Sequence, residues 1–275
     1  MVDISLISKG LLNIEGIWYP SAKEKISYPD AGNADCLQIE DSSFWFKHRN
    51  NCIATLVKRY AANRVFWDIG GGNGYVSKGL QSSGISTILV EPGELGAQTA
   101  AKRGVKNVIC ATFEGAGLND NVIKSAGLFD VLEHIEDDLM FLKSLNQTMA
   151  KDGLLFITVP AYQTLWSKDD DYAGHFRRYT TEKLNKTLDQ AGFEPVFDTY
   201  IFSLLIYPVF LLRTLPGKLG LGKNPSSKNK IQSDHKAGGL ASKVLERIWN
   251  RELIRLKEDK KIPYGGSCLV VARKR

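Results

Sequence analysis

A glycine-rich turn between an apolar strand and a helix is the feature that most constrains the fold of this chain. Asp68 lies near the end of an apolar run and is followed by Gly70, Gly72 and Gly74. Glycine lets the backbone turn sharply and approach a ligand closely, and a helix that starts there points its N-terminus at the ligand. The pattern predicts an α/β fold with a ligand site at the end of this strand.

From residue 64 onward, short apolar runs alternate with amphipathic stretches, which is typical of βαβ units around a parallel sheet. The runs are apolar throughout, as strands buried on both faces should be. They predict a doubly wound, seven-stranded, mostly parallel sheet. The strands are expected at residues 64–70, 86–91, 107–110, 121–127, 154–160, 193–200 and 267–273.

Helices are expected between these strands. One begins near Tyr75, a second is entered within residues 128–138 and runs to about Met149, and a third runs from a cap at Thr180 to about Gly192. The predicted α/β domain spans residues 61–275.

The N-terminal segment, residues 1–60, is predicted to be helical. Its clearest element is an aromatic helix start that Asp41 or Ser42 can cap. A helix in this place either covers the mouth of an α/β site as a lid or packs against the sheet. The sequence is compatible with both arrangements.

A helical insertion at residues 201–264 is predicted before the last strand. It comprises an apolar helix near 202–214, a linker rich in Gly and Lys at 216–239, and a helix from Leu240 with apolar residues at helical spacing. The apolar helix either packs against the later helix, forms a homodimer contact, or lies on a membrane.

The net charge of +6 is unevenly distributed. Residues 213–275 carry 16 Lys and Arg against 5 Asp and Glu, a net +11, so residues 1–212 carry −5. This basic part either attracts an anionic surface or a phosphorylated substrate, or is a solvated face. The apolar run at 200–212 is shorter than the ~20 residues that cross a bilayer. We therefore expect at most peripheral membrane contact, through residues 200–223.

The first residues lack the basic and apolar regions of a signal peptide, so export is not expected. The four cysteines have no spacing typical of a zinc site and are predicted to be reduced thiols. We predict no metal, and a location in the cytoplasm or peripherally at the inner membrane face.

Two acids mark the ends of neighbouring predicted strands. Asp68 precedes the first glycine, where a carboxylate suits the ammonium of a zwitterionic ligand better than a pyrophosphate. Glu91 ends the next strand, where an acid can accept both hydrogen bonds of a ribose diol. The alternative is that these acids only cap helices or lie in solvent at strand ends.

Four motifs in order carry a family resemblance: DIGGGNG from Asp68, LVEPG from Leu89, FDVLEHIEDD from Phe129, and KDGLLFITVP from Lys151. With them the chain resembles the class I S-adenosylmethionine-dependent methyltransferases over about residues 60–200 and the last strand. The resemblance implies a sheet whose last strand is antiparallel, and S-adenosylmethionine as the cofactor.

The same resemblance implies the residues that hold the cofactor. They are the glycine turn with Asp68 and Glu91, and Thr112 and Phe113 at the adenine, with Phe129 also assigned to this site. The chain departs from the family after the third strand, where Cys110-Ala111-Thr112 stands in place of the usual acid.

Methyl transfer needs alignment and desolvation, and a base only when the acceptor carries a proton that must leave. His134 and His175 are the candidate bases, although a packing role is the alternative for each. Candidate substrate-side residues are Trp45, Arg49, Arg178 and Tyr179. An arginine there can instead pair with the acids at 169–171.

We expect the acceptor to be a small molecule or a lipid-linked molecule. Nucleic acid is not expected, because no target-base motif is present and the basic residues lie in the insertion. The alternatives are a nicotinamide-dependent oxidoreductase, disfavoured by Asp68 and by the lack of a Tyr-x-x-x-Lys pair, and a non-catalytic scaffold that binds the cofactor.

Overall fold

The computed structural model describes residues 4–8, 10–21, 37, 40–41, 43–209, 211, 214–215 and 240–275. The predicted linker at 216–239 lies outside the described residues. Within them the chain forms one sheet with helices on both sides. The strands are β1 (Leu11–Ile14), β2 (Ile17–Pro20), β3 (Phe66–Ile69), β4 (Thr87–Val90), β5 (Val108–Ile109), β6 (Ile123–Phe129), β7 (Met149–Pro160), β8 (Phe193–Ile201) and β9 (Ser267–Lys274).

The helices follow the βαβ pattern that the sequence predicts. They are α1 (Phe44–Ala61), α2 (Tyr75–Ser82), α3 (Glu94–Lys102), α4 (Asp138–Thr148), α5 (Lys168–Ala173), α6 (Thr181–Gln190), α7 (Ile206–Val209) and α8 (Leu240–Lys257). Short 3₁₀ turns lie at Ile4–Leu6, Leu132–His134, Gln163–Leu165 and Ser203–Leu205.

The strand order is β1-β2-β5-β4-β3-β6-β7-β9-β8. β3 pairs in parallel with β4 on one side and with β6 on the other, so the chain changes direction across the sheet at β3. β9 is antiparallel to both of its neighbours. The seven predicted strands and the antiparallel last strand are thus confirmed. Ligands of open α/β sheets bind at the carboxyl ends of the strands where the order reverses.

Two further strands from the N-terminal segment extend the sheet beyond β5. β1 and β2 form a hairpin through Glu15 and Gly16, both with positive φ, and β2 pairs in parallel with β5. The prediction of a helical segment is therefore wrong for residues 11–20. Each strand has four residues, which is too few for an alternating pattern to be recognised in the sequence. Within the sheet, β1 pairs with β2 and with no other described strand.

The core lies on both faces of the sheet. In β7, Leu155 and Ile157 pack on one face with α4 and α6, while Leu154 and Phe156 pack on the other with α1, α2 and α8. Successive strand side chains point to opposite faces, so a strand covered on both sides is apolar at every position. This explains the continuous apolar runs of the sequence.

Helix α1 forms as predicted, but its cap is neither Asp41 nor Ser42. The Ser43 hydroxyl accepts hydrogen bonds from the Trp45 and Phe46 amides at 3.2 and 3.5 Å, which satisfies two of the amides that a helix start leaves open. The cap of α6 is Thr180, as predicted.

The segment after β6 is extended for longer than expected. Phe129 still belongs to β6, and the 3₁₀ turn Leu132–His134 follows before α4 begins at Asp138 with Asp137 as its cap. Asp130, with φ of +57°, breaks the path between strand and helix. This break turns the side chains of the DVLEH motif along the carboxyl edge of the sheet.

The insertion contains the predicted later helix, α8. It packs against α1, with the Phe44 and Trp249 rings stacked at 5.0 Å. Of the predicted helix at 202–214, the structure describes the turn Ser203–Leu205 and the four residues of α7, and Leu211 and Thr214 also have helical backbone. Residues 210, 212 and 213 lie outside the described residues. Among the helices that the structure describes, none is both long and apolar enough to cross a bilayer.

Candidate active site

The glycine turn after β3 is shaped by contacts that leave no space for side chains. At Gly70, with φ of +69°, a Cβ would lie 2.7 Å from Val131 Cγ2. At Gly74, with φ of +75°, a Cβ would lie 2.7 Å from the Ala100 Cβ of α3. Gly72 also has positive φ, at +51°. The turn therefore needs glycine both for its backbone conformation and for close packing.

Asp68 lies at the carboxyl end of β3 with 1% of its surface exposed. The Ser77 hydroxyl of α2 donates to its Oδ2 at 2.8 Å. Burial raises the pKa of Asp68 to about 6, against the opposite effects of Ser77 and of the Arg49 charge. Ser77 and Arg49 thus do not offset the effect of burial, and a bound cation would stabilise the charged form of Asp68.

Glu91 follows β4 and reaches back to the glycine turn. Its Oε2 accepts from the Gly72 amide at 2.8 Å and its Oε1 accepts from the Gly93 amide at 2.9 Å. A carboxylate has about four acceptor positions. Glu91 therefore holds the turn in place with one amide bonded to each of its oxygens.

Arg49 brings α1 to the same edge. Its Nε lies 3.0 Å from Asp130 Oδ2, and its Nη2 donates to the Phe129 carbonyl at 3.0 Å. The guanidinium also lies over the Trp45 ring, 5.3 Å from the centroid. The Trp45 ring itself stacks on Phe202 at 5.2 Å. Two of the predicted substrate-side residues, Trp45 and Arg49, thus adjoin the ends of β6 and β8.

The residues just before α1 contact the glycine turn directly. Asn73 Nδ2 donates to Glu40 Oε1 at 3.3 Å, and Glu40 Oε2 pairs with Arg103 at 2.9 Å. Burial raises the pKa of Glu40. The N-terminal segment therefore both packs against the sheet, through α1, and touches the predicted cofactor site, through Glu40.

The three other predicted cofactor residues are half-buried or buried at the carboxyl edge. The Thr112 hydroxyl accepts from the Gly115 amide at 2.9 Å. Phe113 packs edge-on against Phe141 at 5.9 Å. Phe129 stacks on Phe66 at 6.0 Å, on the face that α1 covers. Phe129 is thus a core residue whose backbone carbonyl reaches the site.

The two predicted bases meet in the fold. The His134 and His175 rings lie 4.7 Å apart in an edge-to-face arrangement. Burial, together with the nearby His175, lowers the pKa of His134 to about 4. His175 Nδ1 lies 2.9 Å from Asp170 Oδ1, which orients that ring. At neutral pH His134 is therefore uncharged.

Arg178 and Tyr179 are both held by acids of the chain. Arg178 donates from Nε and Nη2 to the two carboxylate oxygens of Asp170, at 2.7 and 2.9 Å. Although burial alone raises it, the bonds from His175 and Arg178 lower the pKa of Asp170 to about 2. Tyr179 is buried and donates to Asp138 at 2.7 Å. These contacts fix the loop that carries His175.

Sequence reasoning missed several residues of this edge. Glu133 is fully buried, and within the described part of the chain neither of its carboxylate oxygens has a hydrogen-bond partner. Burial and the negative charge of Asp130 raise the pKa of Glu133 well above its usual range. Asp130 and Glu133 stand within the DVLEHI motif, so the signal was present, but a helix assignment left them on a helix face. Glu40 and Ser77 carry no such signal.

Comparison with known proteins identifies the family. A family model described as a methyltransferase domain matches residues 45–196, more than half of the chain. No curated protein matches the sequence at a significant level.

Solved structures share the fold. A SAM-dependent methyltransferase of Thermotoga maritima, described as a possible histamine N-methyltransferase, is 18% identical with a TM-score of 0.54; the match covers 90% of this chain and 100% of that one. Phosphoethanolamine N-methyltransferase 2 of Haemonchus contortus, in complex with S-adenosyl-L-methionine, is 16% identical with a TM-score of 0.56, covering 94% of this chain and 61% of that one. A SAM-dependent methyltransferase of Archaeoglobus fulgidus is 18% identical with a TM-score of 0.50, covering 82% and 94%.

At these sequence identities the solved structures show only that the fold is shared, whereas the family model shows which family the chain belongs to. The match begins in α1 and ends in β8, so it includes the glycine turn, both strand-end acids and the histidine pair. The chain therefore belongs to the methyltransferase-domain family, and the class I resemblance read from its motifs is confirmed.

Proposed function

We propose that this protein transfers a methyl group from S-adenosylmethionine to a small-molecule or lipid-linked acceptor. The observation that carries the proposal is the pair of buried acids, Asp68 and Glu91, at the carboxyl ends of adjacent parallel strands, with the Gly72 amide bonded to Glu91 at 2.8 Å. The two acids and the glycine turn form one continuous cradle at the point where the strand order reverses.

The charges of this cradle fit the cofactor. S-adenosylmethionine carries an ammonium and a sulfonium. Burial raises the pKa of the Asp68 carboxyl to about 6, so a bound cation would stabilise its charged form. A dinucleotide would instead bring a pyrophosphate towards this acid, which repulsion opposes. Glu91, an acid at the carboxyl end of the neighbouring strand, is of the residue type that binds a ribose diol.

S-adenosylmethionine supplies an electrophilic methyl group, so the protein has to align the acceptor and exclude water. Arg49 and Trp45 adjoin the carboxyl end of β6, where an acceptor would lie beside the cradle. For an acceptor that loses a proton, His134 is a suitable base because its lowered pKa, about 4, leaves it uncharged at neutral pH. His175, oriented by Asp170, is the second candidate.

A turnover assay with methyl-labelled S-adenosylmethionine tests this proposal. The protein is incubated with water-soluble metabolites and with a lipid extract, and label is counted in the aqueous and organic phases. We expect label in one of the phases with the wild type and a loss of at least tenfold with Asp68→Asn. Equal label in both proteins, or none with either extract, would contradict the proposal.

One observation favours an acceptor held at a lipid surface. Four large apolar side chains in and after the end of β8 are exposed: Leu204 (37%), Tyr207 (60%), Leu211 (56%) and Leu215 (37%). The sequence places Arg213, Lys218 and Lys223 beside them. Apolar residues with neighbouring cations are the combination that binds anionic membranes from one side.

Sedimentation with vesicles tests the membrane contact separately from the chemistry. We expect salt-sensitive binding to anionic vesicles and little to neutral ones, and a loss of binding in the double variant Tyr207→Ser/Leu211→Ser. Leu95→Ser, a change at an exposed leucine of α3 (40%), is the matched control and should bind as the wild type. Equal sedimentation of both variants would rule out this surface.

A further inference from the structure

We infer that Glu133, His134 and His175 form a binding site for a divalent transition metal, with Zn²⁺ as the probe. One ligand atom from each residue lies within 4.8 Å of those of the other two. The cysteine spacing predicted no metal, because it holds no information about two histidines that are distant along the chain and meet only in the fold.

Glu133 is the residue that calls for a cation. It is fully buried, and both of its carboxylate oxygens lack a hydrogen-bond partner among the residues that the structure describes. Burial of an ionised carboxylate without a partner costs several kcal/mol, so proteins rarely keep one without a charge to balance it. One of its oxygens lies within 4.8 Å of a ring nitrogen of His134 and of His175. A metal among the three would supply the missing partner.

The two histidines are held as metal-binding imidazoles are held. A ligating histidine usually donates its other ring N–H to a carboxylate or a carbonyl. His175 Nδ1 is bonded to Asp170 at 2.9 Å, and the His134 ring is hydrogen-bonded to the backbone of Gly174. Asp170 is itself fixed by Arg178. Each ring is thus oriented by a hydrogen bond to a neighbouring part of the chain.

The backbone holds the two ligand-bearing segments together. The Phe176 amide donates to the Glu133 carbonyl at 2.8 Å, beside His175 and His134. Ligand atoms about 2.1 Å from a tetrahedral zinc lie about 3.4 Å apart. The three atoms would therefore close by roughly 1.4 Å at most on binding, a movement that side-chain rotation supplies without breaking this bond.

The donor set selects the kind of metal. Two imidazole nitrogens with one carboxylate suit zinc and other late transition metals, whereas magnesium and calcium prefer oxygen ligands. Three protein ligands also leave a coordination position open. Both imidazoles would then act as ligands, and the metal, rather than a base, would lower the pKa of an acceptor hydroxyl.

Zinc binding to the full chain tests the site without cofactor or acceptor. The protein is treated with a chelator, dialysed against ZnCl₂ and analysed for bound metal, with MgCl₂ in parallel. We expect one equivalent of zinc and no magnesium at the same concentration. Glu133→Gln and His175→Ala should each weaken zinc binding at least tenfold. His235→Ala, which removes a histidine that is not one of the three proposed ligands, is the matched control and should bind as the wild type.

Thermal unfolding in chelator separates lost binding from lost structure. Glu133→Gln removes a buried unpartnered carboxylate, so its melting temperature without metal should equal or exceed that of the wild type. No zinc uptake by the wild type, or wild-type uptake by both site variants, would overturn the inference. Binding of S-adenosylhomocysteine in chelator tests the proposed function by itself, so failure of one leaves the other standing.

Discussion

Arg49 of α1 lies 3.0 Å from the carboxylate of Asp130 at the carboxyl end of β6, and both side chains are largely buried, with 10% and 22% exposed. The pair fastens a helix from outside the sheet to the edge where the cofactor is proposed to bind. The negative charge of Asp130 also helps to raise the pKa of Glu133. The Arg49–Asp130 contact therefore affects both the packing of α1 on the sheet and the electrostatics of the candidate site.

We expect Arg49→Met to reduce the free energy of unfolding by about 3 kcal/mol or more, because it leaves the Asp130 charge without its partner. Asp130→Asn alone should also destabilise, and the double variant should lose less than the sum of the two. Urea unfolding of the four proteins measures this coupling. Strictly additive losses would mean that the pair contributes nothing as a pair.

Glu91→Gln should weaken S-adenosylhomocysteine binding by roughly 10- to 100-fold, because a hydrogen bond to a charged acceptor is worth about 1.5–3 kcal/mol. Glutamine keeps one oxygen acceptor for the glycine turn, so the fold should persist. Glu94→Gln, three residues on at an exposed position, is the matched control. Calorimetric titration gives the affinities, and equal values for the two variants would remove Glu91 from the site.

Binding of S-adenosylhomocysteine should weaken about tenfold for each pH unit below the Asp68 pKa of about 6, because the protonated carboxyl no longer attracts an ammonium. Asp68→Asn should bind weakly at every pH from 5 to about 7, with no such slope. Titrations across this range make the comparison. A slope shared by both proteins would assign the effect to another group.

The same carboxyl predicts the pH dependence of ligand-free stability. Its pKa is raised in the folded state, from 3.8 to about 6, so its stabilising contribution is fully present below the unfolded pKa and is lost as pH rises through about 6. The contribution amounts to about 3 kcal/mol. Asp68→Asn should flatten this part of the profile relative to the wild type in urea unfolding.

Gly70→Ala should destabilise the protein by about 1–3 kcal/mol through backbone strain at φ of +69° and a clash with Val131. The double variant Gly70→Ala/Val131→Ala removes the clash only, so it should regain part of the loss. Gly84→Ala, with φ of +85° and nothing within 4 Å of the new Cβ, measures the strain alone. If Gly70→Ala loses no more than Gly84→Ala, the contact with Val131 is unimportant.

The sequence predicted those parts of the fold that local pattern determines. Most of the central residues of strands β3 to β9 are apolar, and the Thr180 cap and the glycine turn have short-range signals, so each could be predicted from a few residues. The cap of α1 was placed one or two residues too early. The hairpin β1–β2 could not, because its four-residue strands take their place from each other and from β5.

The candidate site likewise contains residues that local sequence predicts and contacts that only the fold determines. Asp68 and Glu91 follow directly from strand ends, and the fold brings both to the glycine turn. The pairs Arg49 with Asp130 and His134 with His175 join distant parts of the chain. Glu133 was visible in its motif, but only packing determines that its carboxylate is buried with no hydrogen-bond partner among the described residues.

The most direct test of the proposed function is a calorimetric titration of the full chain with S-adenosylhomocysteine and, in parallel, with NADH and NADPH. We predict saturable binding of one equivalent of S-adenosylhomocysteine, strongly weakened in Asp68→Asn, and no binding of either dinucleotide at the same concentration. Binding of a dinucleotide without binding of S-adenosylhomocysteine would contradict it.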